Sequence, residues 1–230
     1  MNTFDEFAKI SQTIPFLSCI PRPELEEIQK AIIVKKFDKN QTILLEEEPS
    51  DFFYIIYSGK VKVTQINESG KELLLSIQKR GNYFGEMSMI DGKSAATTIV
   101  AMENSKIGFF SRKDFVRYIM KNEKCLQQLL NLLCSRLRIV GTTLIMHSYS
   151  DAFSRIRSAL NVFYIKFGLV DDRGKIINLK LTHKDLANYA AMSRETASRI
   201  ISTLIKSDEI DIVDKKYIRL KPCFFENVPA

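Results

Sequence analysis

The sequence predicts an α+β protein in three parts: an antiparallel β domain, a long central helix and a C-terminal winged helix-turn-helix. Three observations carry this. Short apolar runs recur between turn residues from Ile33 to about Phe110, with glycines at Gly59, Gly70, Gly81 and Gly92. A stretch without proline, Ser111 to Ser148, repeats its apolar residues in alternating steps of four and three. Beyond it, helix-start signals at Thr182 and Ser193 precede two short strand patterns.

The first part is expected over residues 1–110. Its strand candidates include Phe52-Phe53-Tyr54-Ile55-Ile56-Tyr57, Lys60-Val61-Lys62-Val63-Thr64 and Leu73-Leu74-Leu75-Ser76-Ile77. Short strands with turn signals at this regular interval argue for an antiparallel sandwich or barrel. Ser58-Gly59 and Ser69-Gly70 punctuate hairpins, because glycine accepts a positive φ at no steric cost.

The second part is expected as one helix over residues 111–148. Leu126, Leu130, Leu133, Leu137, Val140 and Leu144 follow the a/d repeat of a two-stranded coiled coil, with His147 next in line and Arg136 and Arg138 beside the seam. The alternative is an amphipathic helix packed on its own domain. The narrow stripe, sustained over three heptads, favours a partner helix and hence a homodimer. Gly141 costs roughly 1 kcal/mol relative to alanine inside a helix. Close helix approach and a flexible point are both open as its reason.

The third part, residues 149–230, opens with a helix from Arg155 to Tyr164 and a strand from Ile176 to Leu181. Thr182 then caps a helix, with Asp185 three residues on completing a capping box, and Leu186, Ala187 and Ala190 form its apolar face. A tight turn through Ala191 and Met192 leads to Ser193, which caps a second helix to about Lys206. Ile200, Ile201, Leu204 and Ile205 are expected to bury one face of it. Ser193, Arg194, Glu195, Thr196, Ser198 and Arg199 lie at its start and on the other face. Two short helices joined by a tight turn, the second carrying polar readers at its start, suit a DNA major groove. Arginine can contact guanine O6 and N7 in a fork, and glutamate can accept from cytosine N4. Ile210 to Val213 and Tyr217 to Leu220 read as a hairpin wing with Lys215 and Lys216 at its tip. By pattern alone a helical hairpin with a solvated charged face is the competing reading.

Composition agrees with an anionic partner. The 230 residues are 45% hydrophobic and 27% charged, with a net charge of +7. The last 80 residues hold 14 Lys+Arg against 10 Asp+Glu, and the first 150 hold 20 against 17, so the excess per residue is higher at the C-terminal end. No apolar run approaches the roughly 20 residues of a membrane span, and the N-terminus lacks the basic start of a signal peptide. Cys19, Cys125, Cys134 and Cys223 form no CxxC or Cys/His cluster, so no metal site is indicated. The expected compartment is the cytoplasm, with no membrane partner.

Ser193-Arg194-Glu195-Thr196-Ala197-Ser198-Arg199 closely resembles the SRETxxR recognition-helix motif of the CRP/FNR regulator superfamily, in its cyclic AMP receptor branch. Tyr54 to Val63 is similar to the β-roll hairpin of that family, and Tyr83-Phe84-Gly85-Glu86-Met87-Ser88-Met89 to the start of its phosphate-binding cassette. The resemblance covers nearly the whole chain. It implies a jelly-roll-like β-roll sensor, a symmetric dimer and two recognition helices in successive major grooves. It also implies double-stranded DNA with TGTGA-like half-sites in a palindrome, Arg194, Glu195 and Arg199 as base readers, and RNA polymerase as a partner. Ala191 departs from it, since many relatives have glycine in that turn; a Cβ there costs about 1 kcal/mol if φ is positive.

The resemblance places the effector pocket at Glu86, Met87, Ala95, Ala96, Val140 and Gly141. Members that bind cyclic AMP carry an Arg-Ser pair where this chain has Ala95-Ala96, and a Thr-Ser pair where it has Val140-Gly141. A buried phosphate without a charged partner loses several kcal/mol, so cyclic AMP is disfavoured as effector, with Lys93 as the one nearby substitute cation. An iron–sulfur cluster is disfavoured too, because only Cys19 lies near the N-terminus. Haem, a small organic ligand and no ligand at all stay open. The histidines are His147, for which a structural or mildly pH-sensitive role is expected, and His183, expected on the surface or facing a phosphate. No P-loop, GxSxG, HExxH or kinase motif set is present, so no enzyme is expected. The competing function is a cyclic-nucleotide-binding-like regulatory subunit acting on a protein partner.

Overall fold

The computed structural model describes residues 3–68, 70–149, 151–172, 174–214 and 216–227. It divides into two compact units, residues 1–138 and 139–230.

In the first unit, two helices precede the β domain: α1 (Thr3–Ser11) and α2 (Arg22–Ala31). Eight strands follow: β1 (Ile33–Phe37), β2 (Thr42–Leu44), β3 (Phe52–Ser58), β4 (Lys60–Ile66), β5 (Glu72–Lys79), β6 (Tyr83–Phe84), β7 (Thr98–Ala101) and β8 (Ser105–Ser111). The short helix α3 (Glu86–Asp91) lies between β6 and β7. The strands form two four-stranded antiparallel sheets, ordered β1-β8-β3-β6 and β2-β7-β4-β5. All four glycines of the regular spacing take positive φ, which is what the turns require.

The strand β3 explains its own sequence. Phe53, Ile55 and Tyr57 enter a core shared with α1, α2 and the start of the long helix, whereas Tyr54 and Ile56 enter the interior of the roll. A strand buried on both faces is apolar at every position. The two N-terminal helices were not legible as part of the β domain. They are short, with Pro15 and Pro21 between them and Pro23 in the first turn of α2, and they persist because Phe7, Ile10, Phe16, Leu17 and Ile28 are fully or nearly fully buried.

The expected single helix over 111–148 is corrected. Ser111 caps a four-residue helix α4 (Arg112–Phe115), a π-helical turn follows at Val116–Met120, and the long helix α5 runs only over Glu123–Tyr149. The restart has a local cause: the Asn122 side chain accepts from the Cys125 amide at 3.2 Å. Cys125 and Leu129 of α5 are buried in the core of the first unit. On the seam, Leu126 and Leu133 are half-buried, while Leu130, Leu137, Val140 and Leu144 are 50%, 70%, 63% and 67% exposed.

The second unit contains α6 (Ala152–Phe167), β9 (Gly168–Asp171), β10 (Gly174–Ile177), α7 (His183–Tyr189), α8 (Arg194–Lys206), β11 (Ile210–Val213), β12 (Tyr217–Leu220) and α9 (Pro222–Glu226). The first helix is longer than expected, capped by Asp151 through the Ser154 amide. The strand expected at 176–181 ends at Ile177 and belongs to a four-stranded sheet, β11-β12-β10-β9, whose β9 the sequence reading missed. Ile156, Leu160, Phe163, Leu186, Ile200, Ile201 and Leu204 are buried, but Ile205 is exposed, so the apolar face of α8 is narrower than expected.

Candidate DNA interface and sensor site

The helix-turn-helix is assembled by its caps. Thr182 accepts from the Asp185 amide, and the Asp185 carboxylate accepts in return from the Thr182 amide at 2.9 Å, satisfying two donors that a helix start leaves open. Ser193 accepts from the Thr196 amide at 3.1 Å and starts α8 in the same way. Ala191 in the turn between them has φ +51°, so the conditional cost of its Cβ applies. A further tie anchors the wing: Arg157 of α6 makes a two-point ion pair with Glu209, at 2.8 and 2.9 Å, just before β11. Glu209 is buried, and the Arg157 guanidinium beside it holds its carboxyl below the usual carboxylate range.

The geometry leaves open the side chains that the sequence marks as candidate base readers. Arg194, Glu195 and Arg199 are exposed, with Ser198 and Thr196 half-buried beside them. The Arg194 and Arg199 guanidinium groups make no hydrogen bond or ion pair among the described residues, although the charge of Arg194 acts on the neighbouring Glu195. Glu195 is held below the usual carboxylate range by its own backbone N–H, by the Ser193 hydroxyl and by Arg194. It is thus poised as an acceptor. At the wing, the Lys216 amine lies 4.8 Å from the centre of the Tyr217 ring, while Lys215 falls outside the described residues. The sequence reading missed His183 as a partner of the recognition helix: its Nδ1 lies 2.8 Å from the Ser198 hydroxyl. Nothing in spacing alone links residues fifteen positions apart on two helices.

The positions expected in the effector pocket fall in both units. In the first unit, Glu86 and Ala95 are buried, whereas Met87 and Ala96 are exposed. Val140 and Gly141 belong to the second unit, and a Cβ added at Gly141 would meet nothing within 4 Å. Gly85, at φ +85°, opens α3 and presents Glu86, whose first carboxylate oxygen is ion-paired with Arg136 of α5. Its second oxygen is buried without a partner among the described residues. The Arg136 guanidinium also lies 5.3 Å from the Tyr83 ring centre, and burial pushes the Tyr83 hydroxyl up to about 12. Ala95 is fixed through its backbone, donating to the Glu48 carbonyl at 2.9 Å and accepting from the Glu47 amide at 2.8 Å. Around it the roll interior is occupied by Tyr54, Phe84 and Phe109, with Tyr54 stacked on Phe84 at 4.8 Å. Among the described residues no group of three or more His, Cys, Asp or Glu could hold a metal ion, and no helix is long and apolar enough to cross a membrane.

A β-roll followed by a winged helix-turn-helix with open arginines on its second helix defines a DNA-binding regulator. Comparison with known proteins agrees. Residues 34–122 match the family model of the cyclic nucleotide-binding domain, and residues 157–222 match that of the Crp-like helix-turn-helix domain. The chain is 30% identical over 189 residues to the CRP-like cAMP-activated global transcriptional regulator of Mycobacterium tuberculosis, covering 80% of this chain and 79% of that protein. It is 25% identical to the global nitrogen regulator of Synechococcus elongatus, over 82% of this chain and 86% of that one. FixK2 from Bradyrhizobium japonicum shares the fold with a TM-score of 0.76, at 17% identity, over 86% of this chain and 98% of that one. The chain belongs to the CRP/FNR family of transcription regulators. It is a DNA-binding transcription regulator and not an enzyme.

Proposed function

We propose that the chain acts in the cytoplasm as a homodimer on palindromic DNA with TGTGA-like half-sites, and that cyclic AMP is not its effector. The observation that supports the DNA reading most directly is the start of α8, where Arg194 and Arg199 stand exposed without internal partners beside the acceptor Glu195. Side chains left unpaired in the free protein are available to base edges, and each good two-point contact contributes about 1–3 kcal/mol of discrimination. Thr182, Ser193, Thr196, Ser198, Lys215 and Lys216 are assigned to backbone and flanking contacts. Dimerisation is supported by Leu130, Leu137, Val140 and Leu144, which are exposed while Cys125 and Leu129 on the same helix are buried in its own domain. RNA polymerase is the partner that the family membership suggests.

Against cyclic AMP stand the uncharged Ala95-Ala96 pair and the commitment of Glu86 to Arg136. A cyclic phosphate beside two alanines lacks a charge-assisted partner. The remaining alternatives are haem, a small organic ligand and a dimer competent without any effector. Fluorescence anisotropy on a TGTGA-type palindrome and a scrambled duplex, with and without saturating cyclic AMP, tests both statements. Selective binding that ignores the nucleotide is expected. Binding that requires it overturns the effector assignment, and equal binding to both duplexes overturns the assignment of the readers.

A further inference from the structure

We propose that His183 and Ser198 form a proton-linked pair that contacts the DNA backbone, so that duplex binding takes up a proton and tightens as pH falls. This rests on the assignment of α7 and α8 as the DNA-binding helices and adds to it a titrating contact.

His183 is the first residue of α7, and Ser198 lies on α8, packed against it. The imidazole Nδ1 is 2.8 Å from the serine hydroxyl, and Nε2 has no partner among the described residues. His183 is exposed and Ser198 is half-buried. The serine has one proton to give, so the imidazole decides its polarity. With a bare Nδ1, the hydroxyl donates inward and shows only lone pairs to an incoming ligand. As imidazolium, His183 donates through Nδ1 to the serine oxygen, which frees the serine proton to point outward. The charged pair then presents two outward donors, Nε2–H and the serine O–H. A phosphate backbone offers only acceptors and carries negative charge. It therefore favours the imidazolium form over both neutral tautomers.

Charged groups of both signs stand around the imidazole. On its own turn Lys184 is adjacent, and the Asp185 carboxylate is engaged by Thr182. One turn before Ser198 on α8 stand Arg194 and Glu195, of opposite sign, and Arg199 follows it. Histidine is the side chain whose charge ordinarily changes between roughly pH 5 and 8.

The test is an anisotropy titration of the full chain on the palindromic and scrambled duplexes, at fixed ionic strength, from about pH 8 to about pH 6. Proton uptake lowers Kd by up to about tenfold per pH unit for each contacting protomer, on both duplexes because the contact is to phosphate. The sequence holds two histidines, so one control suffices: His147→Gln is expected to keep the slope. His183→Asn, which keeps a hydrogen-bonding amide near Ser198 but carries no charge, is expected to lose it. The loss from His183→Asn and Ser198→Ala together is expected to fall short of the sum of the two separate losses. A slope that survives in His183→Asn, a slope abolished by His147→Gln, or strictly additive losses overturns the pair while leaving the DNA-binding assignment intact. Failure of the wild-type chain to bind either duplex at any pH overturns both.

Discussion

The roll and the recognition helix handle charge in opposite ways. In the roll, Glu86 is buried and turned onto Arg136, Ala95 is tied through its backbone, and aromatic rings occupy the interior. On α8, Arg194 and Arg199 are solvent-exposed and unpaired among the described residues, and their helix is held by caps and a buried apolar face instead. The contrast separates polar groups that stabilise the fold from polar groups kept for a partner. A buried carboxylate must be compensated internally. An exposed guanidinium keeps its hydration until DNA displaces it.

Five substitutions test the contrast, one of them with a second change added to it. The largest effect is expected from Arg157→Met, which strands the buried Glu209 and costs about 3 kcal/mol in urea unfolding. The folded-state pKa of Glu209 is depressed, so its contribution is present above the unfolded carboxylate range and is lost as pH falls through the folded value. Accordingly the gap between wild type and Arg157→Met should close in acid; a gap that stays constant would show that the pair is not the source. Arg136→Met is next, at about 2 kcal/mol, because Glu86 then loses its only ion-pair partner among the described residues. Adding Glu86→Gln to that variant should recover part of the loss, and no recovery would mean that Arg136 acts by packing on Tyr83.

On the other side of the comparison, Arg199→Ala should leave unfolding unchanged within about 0.5 kcal/mol. It should weaken the specific complex by about 2 kcal/mol and relax one base position. Lys216→Ala should instead weaken specific and scrambled duplexes alike; equal behaviour of the two variants would remove Arg199 from the readers. The smallest expected change is from Ala191→Gly. Removing a Cβ at φ +51° should stabilise the second unit by about 1 kcal/mol, and a lowered unfolding midpoint would refute the strain.

The legibility of these features follows their locality. The wing strands Ile210–Val213 and Tyr217–Leu220 and both caps were readable to the residue, since a turn signal and a capping side chain act within three or four positions. The break at residues 121–122 has a local cause in the Asn122 cap, which the unbroken apolar repeat masked, whereas the π-helical turn and strand β9, paired with β10, carry no capping signal of that kind. Arg136 looked like a charge flanking a seam; only the fold brings it to Glu86, fifty residues earlier in the chain. Ile205 fitted the apolar period but faces solvent, because the buried face of α8 ends with Leu204.

By itself the sequence determined the order of parts and the two capped helices of the helix-turn-helix, while the base readers and the missing arginine at the cyclic-phosphate position are what the resemblance to the family implies. The former are properties of spacing, capping and residue chemistry, which a linear chain carries explicitly. Tertiary structure alone decided the two N-terminal helices, the Glu86–Arg136 pair, the anchoring of the wing by Arg157 and the meeting of His183 with Ser198. The reason is physical: each depends on two distant segments being brought within hydrogen-bonding or packing distance, and the cores of the two units supply the energy that holds them there.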